Sequence, residues 1–316
     1  MKVIAADWLP YCLPLRRPWQ TSRGSLNERH GRLRRLITDD GRTGWGDCAP
    51  LPEFGIDEAA ATAFAEECAA LDLAAQRAGL PLGAWLACSS PMTSVAVNTV
   101  LGAISTVTPE AVQDSLTEGY RILKIKVGDG SLTEEIERLQ MLCATLPVGV
   151  ALRLDANTAW SAADAERFLA ACLPLPIDGI EEPLRTPDIA TLHRLQAMVP
   201  FPLAIDESTR LLTCEFWQAP PVRRLVIKPA RDGGLLTSTE LALRARASGL
   251  EVIVTSALES ACGIAILAHL AAAVAPDAVH GLATGDWLVS DVGLPPLIVD
   301  ARMQLPKGNG IGFVMT

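Results

Sequence analysis

No two cysteines of this chain stand in a CxxC spacing; the eight fall singly at 12, 48, 68, 88, 143, 172, 214 and 262. That scatter argues against a zinc site or a disulfide framework and leaves reduced thiols in a cytoplasmic protein as the expectation. A signal-peptide core is missing too, because Asp7, Pro10 and Pro14 interrupt the apolar start MKVIAADWLPYCLPL, which reads as a strand entering a domain. No segment is long and apolar enough to span a bilayer. The most apolar, ACGIAILAHLAAAVAP at 261–276, is too short and contains His269, so it reads as a buried helix and no membrane partner is expected. Positive charge is scarce: 27 Lys and Arg against 36 Asp and Glu leave a net charge of -9 and a pI near 5.0, which argues against a nucleic-acid surface. Gly233-Gly234 is a tight turn and no dinucleotide fingerprint, and the chain holds no low-complexity segment.

What is present suits one large α/β barrel with an accessory domain: 316 residues, 49% hydrophobic and 20% charged. From about residue 94 strand and helix signals alternate, as in right-handed βαβ units on a parallel sheet. Eight strands are expected, at 94–102, 122–128, 150–157, 178–183, 202–208, 224–230, 251–259 and 280–284. Helices fit between them at 108–118, 131–143 with the capping box SLTE, and 161–172. Residues 1–93 read instead as a separate α+β domain: a strand, a basic loop, a second strand region with an Asp-Gly turn, and an Ala-rich helix at 57–79. The turn-rich tail 292–316 is expected to pack onto that domain, leaving 94–291 as the barrel.

Six charges end the β-branched runs: Lys124 and Lys126 in ILKIKVG, Asp155 in LRLDAN, Glu181 in GIEEP, Asp206 in LAIDES and Lys228 in LVIKP. A charge at a buried strand end is costly unless a metal or a reaction needs it. From Lys126 the intervals are 29, 26, 25 and 22 residues, about one strand, one helix and two loops each. Alternation puts Lys124 and Lys126 on one face, and Arg153 with Asp155 on one face. Asp155, Glu181 and Asp206 can then converge on one hard cation, and oxygen-only ligands favour magnesium or manganese over zinc. Lys124 and that cation are placed to lower the pKa of Lys126 and make it a base for a proton α to a carboxylate, with Lys228 as a second cation.

Each element alone has a plainer reading. Lys-x-Lys is usually a solvated face, Arg153 can simply neutralise Asp155, and the acids of EEP and DES can be helix caps. Joint occurrence in register favours the metal site. The four histidines, 30, 193, 269 and 280, are expected to be structural, and Arg16, Arg17 and Arg23 are either an anion clamp or a solvated loop. A Schiff-base aldolase using Lys228 leaves the carboxylates without a purpose, and a non-catalytic barrel predicts loss of a ligand or lysine, which is not seen.

These motifs resemble the enolase superfamily, in its muconate-lactonising subgroup. The resemblance covers nearly the whole chain and implies an α+β capping domain with a modified (β/α)7β TIM-type barrel. It implies Asp155, Glu181 and Asp206 as magnesium ligands, with manganese as a substitute and Glu182, Glu207 and Asn157 beside them. Lys126 would be the base and Lys228 its counterpart, as a lysine base works with magnesium in that superfamily. GWGDCAPLPEFG, LRLDANTAW, TSALESACG and HGLATGDWL further resemble the o-succinylbenzoate synthases. That likeness implies syn dehydration of a succinylated cyclohexadiene carboxylate, with Arg153, Thr255, Ser256 and the backbone near Gly281 binding this small-molecule carboxylate. N-succinylamino-acid racemisation and dipeptide epimerisation are the rival reactions, and the epimerase reading is lowered because Asp286 and Asp291 are not in Asp-x-Asp spacing. Monomer and homo-oligomer both remain open.

Overall fold

The computed structural model of the chain describes residues 2–21 and 24–316, with Gln20, Thr21 and Gly24 as backbone only. Arg23 therefore lies outside the described residues. Two compact units emerge, one of 1–96, 227–243 and 254–316 and the other of 97–226 and 244–253. The architecture is a (β/α)7β barrel with an α+β amino-terminal part.

The amino-terminal segment opens with β1 (Val3–Thr21) and β2 (Gly24–Thr38), a long antiparallel hairpin, and β3 (Thr43–Cys48) pairs with β2. The turn between β2 and β3 uses the Asp-Gly signal, with Gly41 at φ 84°. Residues 15–21 and 24–25, within the stretch expected to be a basic loop, are instead strand. The ladder shifts register between Pro14 and Trp19, where prolines cannot donate ladder bonds, and then resumes to Thr21↔Gly24. α1 (Glu58–Ala78) starts at Asp57, whose side chain accepts from the Ala60 amide, and ends at Gly79. It rides directly on β3, where a Cβ at Gly46 would stand 1.9 Å from the Ala65 carbonyl oxygen. α2 (Leu82–Ala87) and β4 (Ser94–Val97) follow.

From β5 (Thr99–Ala103) strands and helices alternate: α3 (Pro109–Thr117), β6 (Ile122–Lys126), α4 (Leu132–Cys143), β7 (Ala151–Asp155), α5 (Ala162–Cys172) and β8 (Ile177–Glu181). After these come α6 (Ile189–Ala197), β9 (Leu203–Ile205), α7 (Cys214–Gln218), β10 (Arg224–Ile227), α8 (Leu235–Ala247), β11 (Glu251–Val254) and α9 (Ala261–Val274). Strands β5 to β11 form one seven-stranded sheet in chain order. The expected first strand is split at Asn98, which is fully buried and accepts a bond from Arg153 Nη1. Thr108 and Ser161 cap their helices by side chain, but the expected SLTE box does not form: the Ser131 side chain makes no capping bond. Instead Glu135 accepts from the amides of Gly128, Asp129 and Gly130. Every residue of α9 except Ala273 is buried, as its composition required, and among the described residues no helix is long and apolar enough to cross a membrane.

The eighth strand is short, β12 (Val279–His280), and is extended by a bridge between Thr255 and Gly281. In the tail, β13 (Ile298–Val299) and β14 (Arg302–Gln304) complete a sheet ordered β12-β4-β14-β13. Beyond it the chain returns to α1, where Asp72 accepts from the Ile311 amide.

Candidate active site

Across the parallel ladder of β6, β7 and β8, Lys126, Asp155 and Glu181 stand in register at the carboxyl ends of their strands. Period-two alternation explains the arrangement. Leu123, Ile125, Leu152 and Leu154 fill one face and are buried, so Lys124, Lys126, Arg153 and Asp155 take the other. Asp206 follows β9 and is buried.

Lys124 joins two of the carboxylates. Its ammonium lies 2.9 Å from Asp155 Oδ2 and 2.5 Å from Glu181 Oε2. Burial works to lower Lys124, but Asp155 and then Glu181 outweigh it and hold the ammonium charged above a lysine's ordinary range. Burial pushes Lys126 down, against Asp155, and the charge on Lys124 pushes it further the same way. The relation expected between the two lysines therefore has a concrete form: Lys124 stays charged while Lys126 is eased toward losing its proton. Burial also pushes the Glu181 carboxyl up, opposed chiefly by Lys124.

The residues beside the trio build its supports. Glu182, held at φ 43°, accepts from the Asp206 amide at 2.7 Å and from the amide and hydroxyl of Ser208 at 2.7 and 2.8 Å, so it orients the segment bearing Asp206. Asn157 also has positive φ, 42°; its amide donates to Asp155 Oδ1 and its side chain reaches Glu207 at 3.5 Å. Strained left-handed conformations of this kind collect at functional loops.

The three acids supply only oxygen, and Glu181 Oε1 is buried with no hydrogen-bond partner, a lone pair set that a hard cation would satisfy. Asp155 and Glu181 are both held by the Lys124 ammonium, at 2.9 and 2.5 Å. The donor chemistry fits magnesium.

Arg153, expected at the substrate, is committed elsewhere. It is 1% exposed, with Nε on Asp178 at 2.8 Å and Nη1 on Asn98 at 2.9 Å. Asp178 also accepts from Arg224, which holds Glu251 in turn. Gly179 is part of this network, since a Cβ there would stand 2.3 Å from Arg224 Nη1. The guanidinium thus belongs to an internal ion network two residues before Asp155, a role that the Arg-x-Asp spacing did not reveal.

Lys228, Thr255, Ser256 and Gly281 belong to the other unit, where they are brought together at adjoining strand ends. The Thr255 amide donates to the Ile227 carbonyl at 3.0 Å and the Ser256 amide to the Gly281 carbonyl at 2.9 Å. Lys228 has its amide on Asp232 and its ammonium 5.6 Å from the centroid of the Phe54 ring. Ser256 donates to Glu259 at 2.6 Å and accepts from Thr284 at 2.8 Å, whereas Thr255 Oγ1 is buried without a partner. That orphan hydroxyl is the strongest sign of a ligand in this group. Sequence reasoning missed Glu259 and Thr284, although both lie inside segments it had singled out. Arg17 stacks on Trp287, with Cζ 4.0 Å from the ring centroid, while Arg16 is exposed. His269 and His280 are fully buried and bond to backbone, His193 caps a carbonyl, and His30 lies on β2.

A family model described as enolase C-terminal domain-like matches residues 108–316. A protein of Pectobacterium atrosepticum named o-succinylbenzoate synthase is 31% identical over 84% of this chain and 86% of its own length. A protein of the same name from Pasteurella multocida is 32% identical over 83% and 84%. Among solved structures, the dipeptide epimerase of Enterococcus faecalis, complexed with Mg and the dipeptide L-Leu-L-Tyr, superposes with a TM-score of 0.88 at 22% identity, covering 99% of both chains.

Proposed function

The chain belongs to the enolase superfamily, and on that premise we propose that it is a magnesium-dependent o-succinylbenzoate synthase of menaquinone synthesis. What carries the reading is the pair of relatives of that name, each aligned over more than four fifths of both chains. It makes the protein a carbon–oxygen lyase that dehydrates 2-succinyl-6-hydroxy-2,4-cyclohexadiene-1-carboxylate.

Asp155, Glu181 and Asp206 would hold magnesium, or manganese in its place, and the ion would supply positive charge against the enediolate oxygens. Lys126 takes the proton α to the ring carboxylate, a task that suits a lysine whose pKa burial and Lys124 have lowered. The electron pair of the broken C–H bond moves into the carboxylate. When it returns to form the ring double bond, the C–O bond breaks and Lys126 returns its proton to the departing hydroxyl, which leaves as water. Lys124 holds Asp155 and Glu181 in place, and Lys228 supplies a second cation to the anionic intermediate. The unpartnered Thr255 hydroxyl and Ser256 are assigned to the substrate's carboxylate groups.

The rival reaction, racemisation of N-succinylamino acids, uses two lysines in turn. Dipeptide epimerisation is disfavoured further by Asp291, whose Oδ1 accepts from the amides of Ala261 and Val292 at the start of α9. The deciding measurement is turnover of the cyclohexadiene substrate beside α-proton exchange in heavy water for both enantiomers of a panel of N-succinylamino acids. Dehydration is the expected result. Rapid exchange of both enantiomers without dehydration would replace the synthase by a racemase.

A further inference from the structure

The β1–β2 hairpin carries three side chains that the reaction above does not use. Cys12 and His30 are direct partners across its ladder, and Glu28 pairs with Pro14, two positions along each strand. Alternate residues of a strand share a face, so Cys12, Glu28 and His30 stand on the same one. Glu28 bridges the others with separate oxygens: Oε2 lies 3.3 Å from Cys12 Sγ and Oε1 2.8 Å from His30 Nε2. Sulfur, nitrogen and oxygen all fall within 4.8 Å of one another, the one such trio among the described residues, and all three side chains are exposed.

We propose that Cys12, Glu28 and His30 form a zinc site on the face of this hairpin, separate from the oxygen-only site of Asp155, Glu181 and Asp206. Zinc takes thiolate, imidazole and carboxylate at about 2.0–2.3 Å, so three such donors around one ion stand roughly 3–4 Å apart, close to the contacts of 2.8 and 3.3 Å and the 4.8 Å limit found here. The donor set excludes magnesium, which takes oxygen, and suits a borderline dication. On binding, the Cys12 S–H bond breaks, the proton leaves to solvent and the sulfur electron pair forms the bond to zinc. His30 offers the Nε2 lone pair with its proton on Nδ1, Glu28 adds one oxygen, and water takes the fourth position. Thiolate and carboxylate together neutralise the dication. The ion would tie β1 to β2 immediately before the register shift between Pro14 and Trp19.

Cobalt(II) is the probe, added to the full-length protein with magnesium in excess, because a thiolate ligand gives a near-ultraviolet charge-transfer band that an oxygen-only site cannot. One equivalent of cobalt should produce the band and zinc should abolish it. Cys12→Ser should remove it, Cys214→Ser should leave it intact as the control at another exposed cysteine, and His30→Ala or Glu28→Gln should each weaken binding about tenfold or more. These residues are exposed, so the variants should fold, and unchanged far-ultraviolet dichroism checks that they do. Absence of the band, its survival in Cys12→Ser, or unaltered affinity in both His30→Ala and Glu28→Gln would overturn the proposal.

Discussion

Only five lysines occur in the chain, and Lys124, Lys126 and Lys228 are three of them. Arginine cannot lose its proton in a protein, so of the two long cationic side chains only lysine can serve as a base at the end of β6, and the scarcity of lysine elsewhere makes these three stand out. Lys126→Ala should lower kcat by about 10²–10⁴-fold or more, because no other group replaces a base that acts in both proton transfers. Lys228→Arg keeps a cation and should retain part of the turnover; equal losses in the two variants would contradict the division of roles. Two buried groups set a second residue-scale expectation. Burial pushes Asp72 up to about 6 from 3.8, so the stability it lends is full below pH 3.8 and is lost as pH rises through 6. Burial pushes His269 down to about 4 from 6.5, so its contribution is full above pH 6.5 and is lost as pH falls through 4. The two slopes oppose each other over that window. Asp72→Asn removes the first, and the variant should gain on the parent by up to about 3 kcal/mol between pH 4 and 6. Urea midpoints across the window check this, and parallel curves for the two proteins would refute it.

At the scale of elements, the loop after β6 is held by one carboxylate. Glu135 gathers the amides of Gly128, Asp129 and Gly130 two to four residues beyond Lys126, with Gly128 at φ 95°. Bonds to a charged acceptor are the stronger kind, so Glu135→Gln should cost about 2–3 kcal/mol of stability. It should also speed hydrogen exchange at those three amides, and unchanged exchange there would show that the loop holds itself. The capping box expected at Ser131 failed for a related reason: the S-x-x-E pattern is local, whereas Glu135 answers to amides brought round by a tight glycine turn. The starts at Thr108 and Ser161 met no such competitor, and there the local pattern sufficed. Prolines and arginines signal strand, basic loop and strand here, whereas the described residues form a long hairpin whose ladder only shifts register.

For the whole molecule, the proposed ligation of magnesium by three acids from three strands predicts that the ion stabilises the fold as well as enabling turnover. Metal at 100 times its Kd should add about 2.7 kcal/mol to the unfolding free energy, and EDTA should remove both that gain and the activity. Asp206→Asn should need much more magnesium for the same rise in Tm. Full activity in a metal-free preparation would sink the assignment. By itself the sequence determined the alternation of strands and helices, expected from about residue 94 and observed from Thr99, the buried character of α9, and the in-register charges Lys126, Asp155 and Glu181. These follow from a period of two within strands and a near-constant length between them, which are local properties that any reading of the chain can measure. Tertiary structure alone decided the partners: Arg153 on Asp178 and Asn98, Lys124 between Asp155 and Glu181, Glu182 beneath Asp206, and Cys12 beside Glu28 and His30. Except for neighbours across the hairpin, those contacts join residues 24 to 57 positions apart. A charged group's choice among several opposite charges depends on side-chain distances and burial, which no spacing along the chain records.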